Sequence, residues 1–274
     1  MWPVLLAPPW FPVVVKSYPL LLVLTVVLGF AASLMLARRL ANLPARRVAL
    51  ALALVTASAL AGARLHFLWA TPVASSGWRT FVFWEGGVHA PGGLVGLALG
   101  VPIACRLLHV PLATFADILA PAAAVSLAVH RVACFMRGCC FGSFCAFPWC
   151  VRYPRGSFAF VAHTQVAAIT GTESSSAAVH PLPLYYLGLS LFLAGFGLWR
   201  YQRRRYPGDV ALLTLLVFSL GTVLLEPYRA VTDATVFVGG WPQLSLAAAL
   251  LAAVAVVLLV VAETVHRRMA EHGP

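Results

Sequence analysis

The chain has 274 residues, 61% of them hydrophobic and only 10% charged, with a mean hydropathy of +0.90 and a formal net charge of +11. A water-soluble core of this length does not need so much apolar surface, and several apolar runs reach the roughly 20 residues that cross a hydrocarbon layer. The basic excess comes without a Lys/Arg-rich tail or aromatic–basic interleaving, which argues against nucleic acid as a partner; it fits membrane orientation and anionic headgroups.

The fold class is therefore all-α: a polytopic integral membrane helical bundle, read as a single domain over residues 1–274 with about seven transmembrane helices. The apolar, proline-bearing start up to Pro19 lacks a basic n-region and an Ala-x-Ala site, so it reads as an interfacial segment or half-helix and not as a cleaved leader. The spacing predicts spans over about Tyr18–Leu36, 48–69, Gly92–Leu108, Leu112–Phe135, Leu182–Trp199, Asp209–Tyr228 and Leu244–Val261. Arginine clusters follow the first, third, fifth and seventh spans. By the positive-inside rule these ends are cytoplasmic, the N-terminus is outside and the C-terminus is cytoplasmic.

The loops 71–91, 136–181 and 229–243 then face outward. Trp78 and Trp84 are candidate interface anchors in the first of them. The second is Cys-rich, and its small polar stretch Thr172–Ala178 reads as a mobile tip. Gly86-Gly87, Gly92-Gly93, Gly96 and Gly100 allow close backbone approach or a lipid crevice.

Cys134, Cys139, Cys140, Cys145 and Cys150 crowd the region where the fourth span meets water, and Cys105 stands apart. In an oxidising compartment the first expectation is one or two disulfides bracing the loop, with the still-helical Cys134 left over. Sulfur and imidazole ligands for zinc are at hand, but paired Cys-x-x-Cys units are missing, so no metal is expected. On a helix Cys134 lies one turn from both His130 and Arg131, and a thiol beside a cation is more acidic and more nucleophilic. Cys134 is accordingly a candidate nucleophile, against the plainer reading of a small packing residue.

Arg64, Arg131 and Glu226 are ionisable groups at membrane depth, which marks them as functional candidates. Arg229 lies one turn from Glu226. Arginines with one carboxylate suit a phosphate-bearing headgroup, since a guanidinium binds phosphate through two parallel hydrogen bonds and the carboxylate can orient it or act as a base. The plainer reading is a structural ion pair such as Glu226 with Arg131.

Several stretches, in order, resemble the prolipoprotein diacylglyceryl transferases. They are Lys16-Ser17-Tyr18, Gly62-Ala63-Arg64, Trp84-Glu85-Gly86-Gly87, Gly92-Gly93-Leu94-Val95-Gly96, Asp117 to Pro121, Arg131 to Gly142, His180-Pro181, Glu226-Pro227-Tyr228-Arg229 and Trp241-Pro242-Gln243-Leu244-Ser245. The resemblance implies a multi-pass enzyme of the bacterial plasma (inner) membrane. Such an enzyme moves a diacylglyceryl group from phosphatidylglycerol, or another anionic phospholipid, to the thiol of a lipobox cysteine in a prolipoprotein signal peptide. It implies no cofactor and no metal.

Carried over by position, Arg131, Glu226, Arg229, Tyr18 and Gly142 match site residues of the family; with the charge at Arg64 and the candidates His89 and Cys134 added, the catalytic set is Arg131, Glu226, His89 and Cys134, and the substrate-binding set Arg131, Arg229, Arg64, Tyr18 and Gly142. The chain departs from the family pattern at Pro91, where a histidine is expected and His89 is the nearest substitute, at Cys134 in place of an asparagine, and at Thr222 in place of an arginine. A divergent member acting on another acceptor, and a lipid-binding membrane protein without catalysis, are the alternatives.

Overall fold

A computed structural model describes residues 4–6, 15–70, 90–231, 237–238 and 241–272. Eight helices carry the fold: α1 (Ser17–Leu40), α2 (Ala45–Ala70), α3 (Ala90–Leu107), α4 (Leu112–Arg137), α5 (Phe158–Gln165), α6 (Leu182–Tyr201), α7 (Asp209–Leu225) and α8 (Gln243–His272). Two antiparallel pairs of very short strands accompany them, β1 (Val4–Leu6) with β2 (Val15–Lys16) and β3 (Phe237–Val238) with β4 (Trp241–Pro242). The expected half-helix at the N-terminus is replaced, in its described part, by the β1–β2 pair.

Among the described residues six helices, all but α3 and α5, are long and apolar enough to cross a membrane. The third expected span is a shorter apolar helix with Pro102 inside it. Large apolar side chains such as Val23, Leu60, Leu191 and Val257 face outward, as a lipid-facing surface requires.

The chain divides into two compact units, residues 30–118 and residues 1–29 with 119–274. Within the first, α2 and α3 pack backbone to backbone. A Cβ on Gly62 would meet the Gly92 carbonyl at 2.3 Å, and one on Gly96 the Ser58 carbonyl at 2.2 Å. Small residues at this spacing let helices approach where lipid offers no hydrophobic drive to associate.

In the second unit Gly197 of α6 lies against Pro121 of α4, and Gly221 of α7 against Leu189 of α6. The turn from α6 to α7 is closed by Asp209, which accepts from the Arg200 guanidinium at 2.5 Å and from the Arg205 backbone N–H at 2.9 Å. Asp209 occupies the first turn of α7, where a carboxylate complements the positive end of the helix dipole.

The segment after α4 is folded and not a plain polar loop. It has its own core of Phe141, Tyr153, Ala159 and Val179. Its one helix, α5, is capped by Ser157, whose hydroxyl accepts from the Phe160 N–H. Val151 and Phe144 bridge to Val179, and Pro154 to Ser175. The mobile tip expected at Thr172–Ala178 is instead tied down: Ser176 is fully buried and accepts from the Tyr153 N–H at 2.9 Å, and the Arg155 N–H donates to the Ser174 carbonyl.

Candidate lipid-headgroup site and thiol cluster

Helix α7 ends at Leu225 because Pro227 cannot continue it, and Glu226–Tyr228 form one 3-10 turn. That turn points Glu226 inward, where it is 3% exposed. One carboxylate oxygen accepts the Tyr186 phenol hydrogen at 2.9 Å, and the other accepts from Arg229 Nε. The carboxylate is therefore paired with Arg229, and not with Arg131 as the plainer sequence reading had it.

Arg131 instead lies over the Tyr186 ring, its guanidinium carbon 4.4 Å from the centroid, with Arg229 at 6.0 Å from the same ring. A cation over an aromatic face is attracted by the ring quadrupole. The Arg131 Nε is buried without a hydrogen-bond partner among the described residues. A buried charged donor left open is costly, so it marks the place where an anionic acceptor would be held. Two guanidinium groups thus share one tyrosine ring, and the carboxylate holds only one of them.

Gly142 fixes the rim. Its N–H donates to the His180 carbonyl, and the next N–H, of Ser143, donates to the Tyr228 carbonyl. Gly142 and Arg229 form an antiparallel bridge. A Cβ here would lie 2.6 Å from His180 Cβ and 2.7 Å from the Tyr228 carbonyl oxygen, so only glycine fits.

Tyr18 lies under the Arg137 guanidinium at 4.1 Å, and Phe158 lies against the same guanidinium at 4.4 Å. Arg64 belongs to the other unit, on α2, with its guanidinium over Phe67 at 5.2 Å. His89, Trp78, Trp84 and the Gly86-Gly87 pair lie outside the described residues. Thr222 is buried, and its hydroxyl donates to the Phe218 carbonyl within its own helix.

The cysteines separate into two sets. Cys145 and Cys150 form a disulfide. Cys134, Cys139 and Cys140 are free, and their sulfur atoms lie within 4.8 Å of one another. Two backbone features bring them together. Gly138 leaves α4 at φ +71°, and Cys140 itself is left-handed at φ +56°, a conformation a side chain rarely adopts. Cys134 is buried, and its sulfur is 3.4 Å from His130 Nε2. Cys140 is held below the ordinary thiol range by hydrogen bonds from Cys134 and Cys139; burial opposes this, and the charges of Arg131 and Arg229 reinforce it.

Residues 4–262 match the family model described as prolipoprotein diacylglyceryl transferase. The chain belongs to that family. Among its relatives are proteins named phosphatidylglycerol–prolipoprotein diacylglyceryl transferase. That of Agrobacterium fabrum is 26% identical over 57% of this chain and 51% of its own length. That of Paracidovorax citrulli is 30% identical over 54% and 50%, and that of Gloeobacter violaceus 29% over 75% and 76%. The chain spans about half the length of the first two. With bacterial relatives and six apolar helices of spanning length, this member is a multi-pass protein of the bacterial inner membrane.

Two residues at the centre of the site were not singled out in the sequence. Tyr186 is half of the Tyr185-Tyr186 pair in α6. The available signal was a phenol inside an apolar span, which needs a partner for its hydroxyl. His180 packs on Tyr228 at 5.1 Å, and its Nδ1 lies 3.1 Å from the Tyr185 hydroxyl. Its signal was its place in the His180-Pro181 motif.

Proposed function

We propose that this protein transfers a diacylglyceryl group from phosphatidylglycerol to the thiol of a lipobox cysteine in a prolipoprotein. The observation that carries the reading is the buried, unpartnered Nε of Arg131 beside the Tyr186–Glu226–Arg229 assembly. The acceptor thiolate attacks the glyceryl carbon that bears the phosphate ester. A C–S bond forms, the C–O bond breaks, and glycerol phosphate leaves. Arg131 and Arg229 take the phosphate charge as it grows on the leaving oxygen, which is where preorganised donors lower a barrier.

Glu226 orients Arg229 and is the candidate base for the thiol proton, with His89 as the other. Gly142 and Tyr18 belong to the rim. The arginine clusters face the cytoplasm and the thiol-rich loop faces outward, the side on which a prolipoprotein's lipobox would be presented.

A second reading keeps the lipid donor and changes the acceptor. It is favoured by the 3.4 Å contact between the Cys134 sulfur and His130 Nε2, the arrangement of a nucleophile with a base. Here Cys134 is either a nucleophile that takes up the diacylglyceryl group itself or a replacement for the family's asparagine.

The test is release of glycerol phosphate from phosphatidylglycerol micelles by the purified chain. Release that requires both a lipobox peptide and Arg131 supports the first reading. Release without peptide, together with a lipid adduct on Cys134, supports the second. Absence of release with lipid still bound leaves a lipid-binding protein and overturns both.

A further inference from the structure

The free thiols at the end of α4 form a constellation of which the transfer reaction uses Cys134 at most. Cys134, Cys139 and Cys140 present three sulfur atoms within 4.8 Å of one another. His130, one helical turn before Cys134, adds an imidazole nitrogen 3.4 Å from the Cys134 sulfur. We propose that Cys134, Cys139, Cys140 and His130 form a binding site for a thiophilic metal ion, with Zn2+ as the reference occupant.

The geometry is that of a small tetrahedron. With zinc–sulfur bonds of about 2.3 Å and a zinc–nitrogen bond of about 2.0 Å, tetrahedral ligands stand about 3.8 Å apart sulfur to sulfur and about 3.5 Å sulfur to nitrogen. The imidazole has that separation from the Cys134 sulfur; it lies outside the group of atoms within 4.8 Å of one another, so its ring must turn toward Cys139 and Cys140, while the thiols need only a small contraction. Three cysteines with one histidine is a donor set that closes a structural zinc site.

The backbone supports the same reading. The chain turns out of α4 at Gly138 and then places the non-glycine Cys140 in the left-handed region. Strain of this kind persists where the surroundings over-determine a conformation, and it concentrates at ligand sites. The turn is held by the Cys139 N–H on the Cys134 carbonyl at 3.2 Å and by the Ala159 N–H on the Gly138 carbonyl at 3.0 Å.

Charge fits as well. One dication with three thiolates and a neutral imidazole makes a complex of net charge −1. Arg131 and Arg229 already act electrostatically on Cys140, so that charge falls among cations. The disulfide between Cys145 and Cys150 accounts for the other two thiols of the loop. Metal binding also explains how three neighbouring thiols stay reduced on an oxidising face, since a metal-held thiolate is not free for exchange.

The proposal stands apart from the transfer reaction, and its test reads metal and not lipid. The full chain in detergent micelles is reduced, stripped with a chelator and incubated with Zn2+ alone, and bound zinc is measured by mass spectrometry. The expected result is one zinc per chain, kept in Cys105→Ser, lost in the Cys139→Ser/Cys140→Ser double variant, and at least roughly tenfold weaker in His130→Ala. Co2+ in place of zinc should give sulfur-to-metal charge-transfer absorption in the wild type. Cys139→His should keep tetrahedral cobalt with a weaker sulfur band, which covers the case in which the serine variants fail to fold. Zinc content equal in wild type and double variant, or a disulfide among Cys134, Cys139 and Cys140 that re-forms in air with zinc present, overturns the proposal.

Discussion

The Tyr186 phenol donates to the Glu226 carboxylate at 2.9 Å while its ring lies under the Arg131 guanidinium at 4.4 Å. One side chain thus holds the carboxylate by its hydroxyl and the guanidinium by its face. Tyr186→Phe keeps the ring and removes only the hydroxyl. Activity in the glycerol phosphate assay should fall by roughly tenfold, the scale of one hydrogen bond to a charged group. Tyr186→Leu, which removes the ring as well, should fall further. Equal losses in the two variants would show that the aromatic face contributes nothing.

Arg131→Ala should lower the transfer rate by roughly 10²–10³-fold, as removal of a preorganised donor to a growing oxyanion does. Arg131→Lys should recover little of this, because an ammonium cannot bind phosphate bidentately or stack on Tyr186 in the same way. Lipid retention on the purified protein, measured alongside, separates lost binding from lost chemistry.

Gly142→Ala should destabilise the protein by on the order of 2 kcal/mol. The added methyl would meet His180 Cβ at 2.6 Å and the Tyr228 carbonyl oxygen at 2.7 Å, and backbone cannot yield as a flexible side chain can. Thermal unfolding in micelles reads the loss.

His163 should make the protein sensitive to mild acid. Its ring is buried between Phe141 and Phe144, with centroids at 5.3 and 5.1 Å, and burial holds its imidazole below the ordinary value. In the unfolded chain it takes up a proton near pH 6.5; in the folded chain it does so only at lower pH. The unfolded state therefore binds more protons below about pH 6.5, and stability falls as the pH is lowered through that point. His163→Phe should show a flatter stability profile between pH 6.5 and 5, with no difference from wild type at pH 8. Parallel profiles would exclude this residue as the source.

Breaking the Cys145–Cys150 disulfide should cost about 2 kcal/mol, since the bond closes only a short loop. Cys145→Ser/Cys150→Ser should fold and unfold at a lower temperature, and it should retain the four thiols, Cys105, Cys134, Cys139 and Cys140, that react with a maleimide once the chain is denatured.

The membrane architecture was readable in the sequence because spanning helices need long apolar runs and nothing else in the chain mimics them. The ends of α4, α6 and α7 fall within a few residues of the expected spans. The third span, α3, also falls within two residues of the expected one, and the glycines of 92–100 serve its close packing against α2. Arg131, Glu226 and Arg229 stood out as charges in apolar surroundings, and the structure gathers them. Their pairing was not readable, because choosing Arg229 over Arg131 depends on the 3-10 turn after Leu225, which is set by packing. The fold of residues 138–181 was hidden for a different reason. Its core is built from scattered residues, Phe141, Tyr153, Ala159 and Val179, that carry no period. The thiol cluster was hidden too, since Cys139 and Cys140 reach back to Cys134 only through two left-handed residues.

The 18 residues of α3 rise about 27 Å, less than the roughly 30 Å of a typical hydrocarbon layer. A rod too short for its slab draws the two leaflets together or lets water dip in at its ends. Set across a bilayer, a rod of that length would pinch it and draw the ester linkages of the phospholipids beside it deeper than those of their neighbours. A lipid at such a dimple would have left part of the ordinary chain packing behind.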